Sequence, residues 1–378
     1  MKTFALCTMA IGAFLLAQPA QAQWTTAKRL TWTDGASNSP KLSLNSSGHL
    51  HVVWDDDTPG HYEIYHKRST DGGTTWTTAK RITWSSEDSR EPALAIDSAD
   101  RLFVFWTADT AFGSEIYYKS SSDGGDTWTG STRFTWKGIT SERPDILVDS
   151  SGLFHLVWQD STGDIFYSKS PDGTNWMVDK RVTWTSGNSE NPDLTVDSSG
   201  RLHLAWQDNT PGATDFEVYY RKSTDSGMTW SKTKRLTWMD NGSYRPDLAV
   251  DPSANLHLVW YDENPSLYVI YYKKSTDSGA SWTSAKRLSW DPGWTAYPNL
   301  AVDGSSTLHL VWEDPNWELS YRKSTDSGST WTAVQRLTWT AGFSWNPGII
   351  ADSAGNLHLV WDDDTPPNRE IYYKQYVD

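Results

Sequence analysis

Ser223-Thr-Asp-Ser-Gly-Met-Thr-Trp230 sits between an aromatic run, Glu217-Val-Tyr-Tyr-Arg-Lys222, and a second short run, Lys234-Arg-Leu-Thr-Trp238. The same block returns at Ser69 to Trp76, Ser121 to Trp128, Ser275 to Trp282 and Ser324 to Trp331. A copy one residue shorter spans Ser170 to Trp176. Its aspartate recurs as Asp71, Asp123, Asp172, Asp225, Asp277 and Asp326, spaced 49 to 53 residues apart. A fixed period of that length means one supersecondary unit repeated along the chain.

Each unit reads as four strands. Pro192 to Asp197 alternates apolar and polar residues, Ser198-Ser-Gly200 turns, and Leu202-His-Leu-Ala-Trp206 alternates again, which is a hairpin. Gln207 to Asp215 is a polar loop, Phe216 to Lys222 a third strand rich in aromatic and β-branched residues, and Thr229 to Trp238 the fourth. The aspartate between strands three and four accepts backbone N–H groups a few residues on, and the glycine after it tolerates positive φ, so the six aspartates read as structural.

Seven strands end at Trp54, Trp106, Trp158, Trp206, Trp260, Trp312 and Trp361, and seven fourth-strand elements end at Trp32, Trp84, Trp136, Trp184, Trp238, Trp290 and Trp339. The sequence ends on a third strand, Glu370-Ile-Tyr-Tyr-Lys374, while Trp24 to Trp32 nearly copies Trp76 to Trp84. The reading is therefore all-β: a seven-bladed β-propeller of four-stranded antiparallel blades over 23–378, closed by the N-terminal strand completing the last blade. Closure leaves no free sheet edge.

The Ser-x-Asp-x-Gly-x-x-Trp turns resemble the Asp boxes (bacterial neuraminidase repeats) of sialidase-like propellers, and they run through the whole of 23–378. The resemblance implies that the boxes lie on one face and that ligands bind on the other, among the loops joining strands two and three and leaving strand four. Those loops are acidic and aromatic here, as in Asp55-Asp-Asp-Thr-Pro-Gly60 and Asp362-Asp-Asp-Thr-Pro366.

Residues 1–22 have the form of a secretory signal: Lys2, an apolar run from Phe4 to Leu16, and Ala20-Gln-Ala22 before a cleavage point. The run is short for a permanent membrane span. The expected destination is secreted or periplasmic. Cys7, the single cysteine, lies inside this segment, so no disulfide is expected. A net charge of −14 without a basic run argues against nucleic acid or an anionic membrane as partner.

Three functions compete. The resemblance implies a sialidase-like exo-glycosidase, with a tyrosine nucleophile, a helper glutamate, an aspartate acid/base and three carboxylate-binding arginines. Ser89-Arg-Glu-Pro92 is the nearest match to that family's Arg-Ile-Pro motif, lacking the isoleucine and the preceding aromatic; Arg143-Pro144 and Arg245-Pro246 stand one residue out of step. Such sialidases have six blades, and here Glu63, Glu115, Glu217 and Glu370 recur with the repeat, which marks scaffold. No residue is assigned a catalytic role.

The preferred reading is a non-catalytic, lectin-like binding protein for glycans or another extracellular ligand. Repetition offers equivalent sites between blades, which act together through avidity. Of the 24 tryptophans, the repeats and Trp24 account for all but Trp294, Trp317 and Trp345, expected to crowd one sector of the ligand face around blade six. Asp145, Asp193 and Asp247 each follow the proline opening a first strand, and with Arg143 and Arg245 they are expected at the mouth of the central channel. An oxygen-lined arc there suits a cation such as Ca²⁺, although no metal or cofactor is required.

The third reading is an extracellular interaction scaffold. The histidines give no metal site: His51, His155, His203, His257, His309 and His358 share one strand position that Phe103 fills in the remaining blade. Nucleophilic serine or cysteine arrangements and phosphate-binding glycine loops are absent, and the oligomeric state is not legible.

Overall fold

The computed structural model describes residues 23–136, 138–210, 215–238, 241–264, 267–290, 292–365 and 367–377. The expected signal segment 1–22, with Cys7, lies outside them, as do Pro211, Gly212, Pro265 and Pro366 of the strand-connecting loops. The described residues form seven antiparallel sheets in a ring, a seven-bladed β-propeller without helix. Among them no helix is long and apolar enough to cross a membrane.

Blade four shows the unit: first strand Ser189–Val196, second Leu202–Asp208, third Glu217–Ser223, fourth Lys234–Arg235. Blades one to six start their first strands at Ser37, Ser89, Ser141, Ser189, Ser243 and Ala296. Blade seven is Ser344–Ala351, Leu357–Asp363 and Glu370–Val377, completed along that third strand by Gln23–Trp24 and Lys28–Arg29. The predicted N-terminal closure is present.

Two boundaries differ from the sequence reading. The fourth strand shrinks from Thr229–Trp238 to a two-residue ladder, because its flanks are held by single backbone and side-chain bonds instead. Ser231 N bonds Lys222 O at 2.8 Å, and Thr237 Oγ1 accepts the Val218 N–H at 2.8 Å. The first strand begins at Ser189, three residues before Pro192, because a bulge absorbs the proline; the register slips between Glu190 and Asp193 and at the equivalent place in all seven blades.

The core lies between blades. The apolar runs of all seven second strands are buried, and the tryptophans ending them are at most 2% exposed. At ~25 cal/mol per Å² and roughly 150–250 Å² per ring, each stabilises the ring of blades by at most about 4–6 kcal/mol. The Ser-x-Asp turns close the opposite end of blades one to six. Asp225 accepts Thr229 N at 2.8 Å and Thr229 Oγ1 at 2.6 Å, Ser223 Oγ donates to it at 2.7 Å, and these donors hold its carboxyl down at about 2. The recurrent histidines are buried within polar clusters. His203 Nδ1 meets Tyr220 Oη at 2.7 Å, and its Nε2 meets Asp197 at 3.1 Å.

Candidate functional site

The bulge decides what faces the channel. In every blade the residue before the proline has positive φ: Ser39, Glu91, Arg143, Asn191, Arg245, Tyr297 and Asn346, at 50° to 54°. Non-glycine residues avoid this region, at a cost of roughly 1–3 kcal/mol each, so something must hold them there. For Glu91, Arg143, Asn191, Arg245 and Asn346 the holder is the side chain that follows the buried tryptophan in the preceding blade. Asp55 Oδ1 accepts Glu91 N at 3.2 Å, Gln159 accepts Asn191 N, Gln207 accepts Arg245 N and Glu313 accepts Asn346 N, the last three at 2.9 Å. One backbone device thus presents seven different side chains to one place.

That place is a cavity of about 300 Å³ at the channel mouth, lined by the starts of all seven first strands. Arg143, Arg245, Asp193 and Asp247 line it together with Lys41 and Tyr297, whereas Asp145, expected beside them, is not among the lining residues. Arg143 is engaged: its Nε lies 3.3 Å from Glu91 Oε1, and its Nη1 donates to Asn191 Oδ1. Arg245 differs. Its guanidinium stacks over Tyr297, 4.9 Å from the ring centre, and makes no ion pair or side-chain hydrogen bond among the described residues. Burial and then the neighbouring Arg143 charge push its pKa down, yet a guanidinium keeps its proton. An unmatched, partly desolvated charge of this kind calls for an anion.

The aspartates are spent on hydrogen bonds between blades. Each turns to the next blade: Asp145 accepts Leu194 N at 2.8 Å, Asp193 accepts Leu248 N at 2.6 Å, and Asp247 accepts Leu300 N at 3.1 Å and Asn299 Nδ2 at 2.6 Å. Among the described residues no group of three or more acidic, histidine or cysteine side chains is placed to hold a metal ion. Burial raises the Asp145 carboxyl and pushes Asp247 up to about 7; burial, then repulsion from Asp247 and Asp145, pushes Asp193 well up. Arg90 does not take part in this lining; it pairs with Asp109 at 2.6 Å and Asp88 at 3.6 Å.

The surplus tryptophans meet in the predicted sector. Trp294 and Trp317 stack with centroids 5.9 Å apart, and Trp317 meets Trp345 edge-on at 6.4 Å. Trp345 lies in the first strand of blade seven. Their neighbours were missed: Tyr268 packs 4.2 Å from Trp294, Tyr261 lies 5.9 Å from Tyr268, and Tyr297 lies 6.3 Å from Tyr261. An aromatic band therefore runs from the channel to Trp345, where Arg369 lies 3.7 Å over the ring. The buried Trp294 Nε1 has no hydrogen-bond partner among the described residues.

Glu91, Asn191, Tyr297 and Asn346 also escaped the sequence reading, though their signal was present: each precedes the proline of a first strand.

No family model matches the chain, and no curated protein matches it either. Solved structures do. An ulvan lyase bound to a glucuronate–sulfated rhamnose unit aligns with TM-score 0.66 at 10% identity, over 90% of this chain and 94% of its own. A protein of unknown function from Dyadobacter fermentans aligns with TM-score 0.62 at 12% identity, over 95% and 99%. A sialidase from Streptococcus pneumoniae aligns with TM-score 0.53 at 13% identity, over 93% and 70%. At these identities the likeness is one of fold. The chain is a seven-bladed propeller whose structural neighbours include sialidases and other carbohydrate-active proteins.

Proposed function

We propose that this is an exported protein that binds an anionic carbohydrate on its loop face. The acidic group sits at Arg245 and Arg143 in the channel mouth, and sugar rings lie along the band from Tyr297 through Tyr261 and Tyr268 to Trp294 and Trp317. The observation that carries the reading is Arg245, a guanidinium in a cavity that stacks on Tyr297 and makes no ion pair or side-chain hydrogen bond among the described residues. Forked donors suit carboxylate or sulfate, and indole and phenol faces suit the apolar face of a pyranose. Neighbours that act on acidic polysaccharides and sialosides lend support by analogy of fold alone.

The test is binding of short uronate and sialoside oligomers against neutral oligomers of equal length, by calorimetry. Acidic oligomers bind, and Arg245→Ala weakens them by about 10- to 100-fold, the equivalent of a charged hydrogen-bonded contact. Equal binding of neutral oligomers, or an indifferent Arg245→Ala, overturns the reading.

A hydrolytic or eliminating reading has one observation in its favour. Tyr297 and Glu91, a phenol and a carboxylate, line the same cavity as the arginines. Turnover of an aryl sialoside or a polyuronate that Tyr297→Phe abolishes, with binding retained, selects it over binding alone.

A further inference from the structure

The fourth-strand tryptophans, unlike the seven second-strand ones, are not buried. Trp32, Trp84, Trp136, Trp184, Trp238, Trp290 and Trp339 are each 58–70% exposed. Each sits level with the start of a third strand, the same end of the blade as the channel mouth: Thr33 N, next to Trp32, bonds the Glu370 carboxylate at 2.9 Å. They stand where two blades meet. Lys67 of blade one lies 5.5 Å over Trp32, which belongs to the strand completing blade seven; Lys119, Lys273 and Lys374 do the same over Trp84, Trp238 and Trp339, as do Arg221 and Arg322 over Trp184 and Trp290.

Strapping the blades together does not account for the indoles. Trp136 keeps its place although Ser168 stands where the other blades carry Lys or Arg, and Trp290 keeps its place where Val269 replaces the acid that pairs the strand-four arginine elsewhere. The charges are unbalanced as well. Six strand-four arginines pair with an acid, among them Arg81 with Glu63 at 2.7 Å and Arg235 with Glu217 at 2.6 Å. None of the six cations lying over the indoles from the next blade makes an ion pair among the described residues, although carboxylates attract Lys67, Lys119 and Lys273 from a distance; Arg322, for example, donates to the Leu288 carbonyl at 2.7 Å. A protein of net charge −14 thus carries a rim of exposed indoles, backed at six of seven positions by a cation that makes no ion pair.

We propose that these inter-blade positions are a second, multivalent binding site for an acidic polysaccharide, each indole stacking one sugar ring and the cation behind it favouring a nearby carboxylate or sulfate. Charge complementarity selects an anionic polymer over a neutral one. Repeated weak sites on one ring hold a repeating polymer by avidity, even where a single site would release a monomer at once. The rim is independent of the channel: it uses different side chains and requires a polymer, whereas the channel takes a chain end or short oligomer.

The experiment uses the purified protein on immobilised alginate, a polyuronate, with neutral dextran as control. Binding to alginate and not to dextran is expected, together with shielding of the exposed indoles from acrylamide quenching by soluble alginate. Combining Trp84→Ala, Trp184→Ala, Trp290→Ala and Trp339→Ala lowers retention on alginate by about tenfold or more, against about twofold for any one alone. The combined variant leaves binding of a short uronate oligomer at the channel unchanged, so failure here and failure of the channel reading are separable. Wild-type retention by the combined variant, equal retention on dextran, or indoles left fully quenchable under saturating alginate each overturn the proposal. The quenching measurement needs no variant and decides the matter if the combined variant does not fold.

Discussion

Gly227 shows how much one position carries. Its φ of +80° is set by the Ser-x-Asp turn, and a Cβ there would overlap the ring of Tyr167 in the preceding blade. Gly227→Ala should therefore meet both backbone strain and overpacking, each worth roughly 1–3 kcal/mol, and lower stability in urea by at least about 2 kcal/mol. A loss below about 0.5 kcal/mol would show that the turn relaxes freely. Positive φ serves a different end at Arg245. There the strain is held by Gln207, and its product is the direction of a guanidinium, so Gln207→Ala should weaken binding of an acidic oligomer through Arg245 with little change in fold. Unaltered affinity in calorimetry would remove Gln207 from that role.

At the scale of elements, the closing strand is the exposed joint of the ring. Trp24 packs edge-on against Tyr321 of blade six at 5.4 Å and against Tyr376 of blade seven at 5.5 Å, so it ties the closing strand to two blades. Trp24→Ala is expected to cost about 2–3 kcal/mol, less than a fully buried ring. The loss should appear first as faster amide exchange over Glu370–Val377, the strand it covers. Exchange that speeds up equally in all blades would instead mean that the ring opens only as a whole. The two-residue fourth strands make the same point about the other blades. Their ladders are too short to hold the outer edge alone, and side-chain pairs such as Arg235 with Glu217 complete them.

For the whole molecule, buried ionisable groups set the response to pH. Burial pushes Asp247, Asp262 and Asp362 up to about 7 and Glu313 up to about 8. Their folded values lie above their unfolded ones, so the folded state holds more protons in between, and stability falls as pH rises through that window. The buried histidines act oppositely: burial pushes His51 and His257 down to about 4, and stability falls as pH drops below their ordinary 6.5. Above that value both forms of the histidines are neutral and the carboxyls alone matter. Tm should therefore fall from about pH 6.5 to about pH 8.5. Asp262 takes bonds from Ser243 and Trp260 on one oxygen and has no partner for the other, so Asp262→Asn keeps the bonds and should remove on the order of 1 kcal/mol of that fall. A Tm that is flat or rising over this range contradicts the assignment.

The repeat alone determined the architecture. Spacing of the aspartate turns, seven copies of two tryptophan elements and an unpaired fourth strand at Trp24 specify the blade count and the closure, because local turn chemistry and alternation act within a few residues of chain. The sector of Trp294, Trp317 and Trp345 was legible for the same reason, since departures from a repeat stand out against it. What the chain order could not supply was direction. The bulge before each first-strand proline brings Arg245 and Tyr297 to the cavity, and at Arg245 a holding bond from the neighbouring blade joins residues some 30 to 40 positions apart, while Arg90 turns away. Likewise, nothing local distinguishes a tryptophan at the end of strand two from one at the end of strand four. Only packing of blade on blade buries the first ring and leaves the second in water.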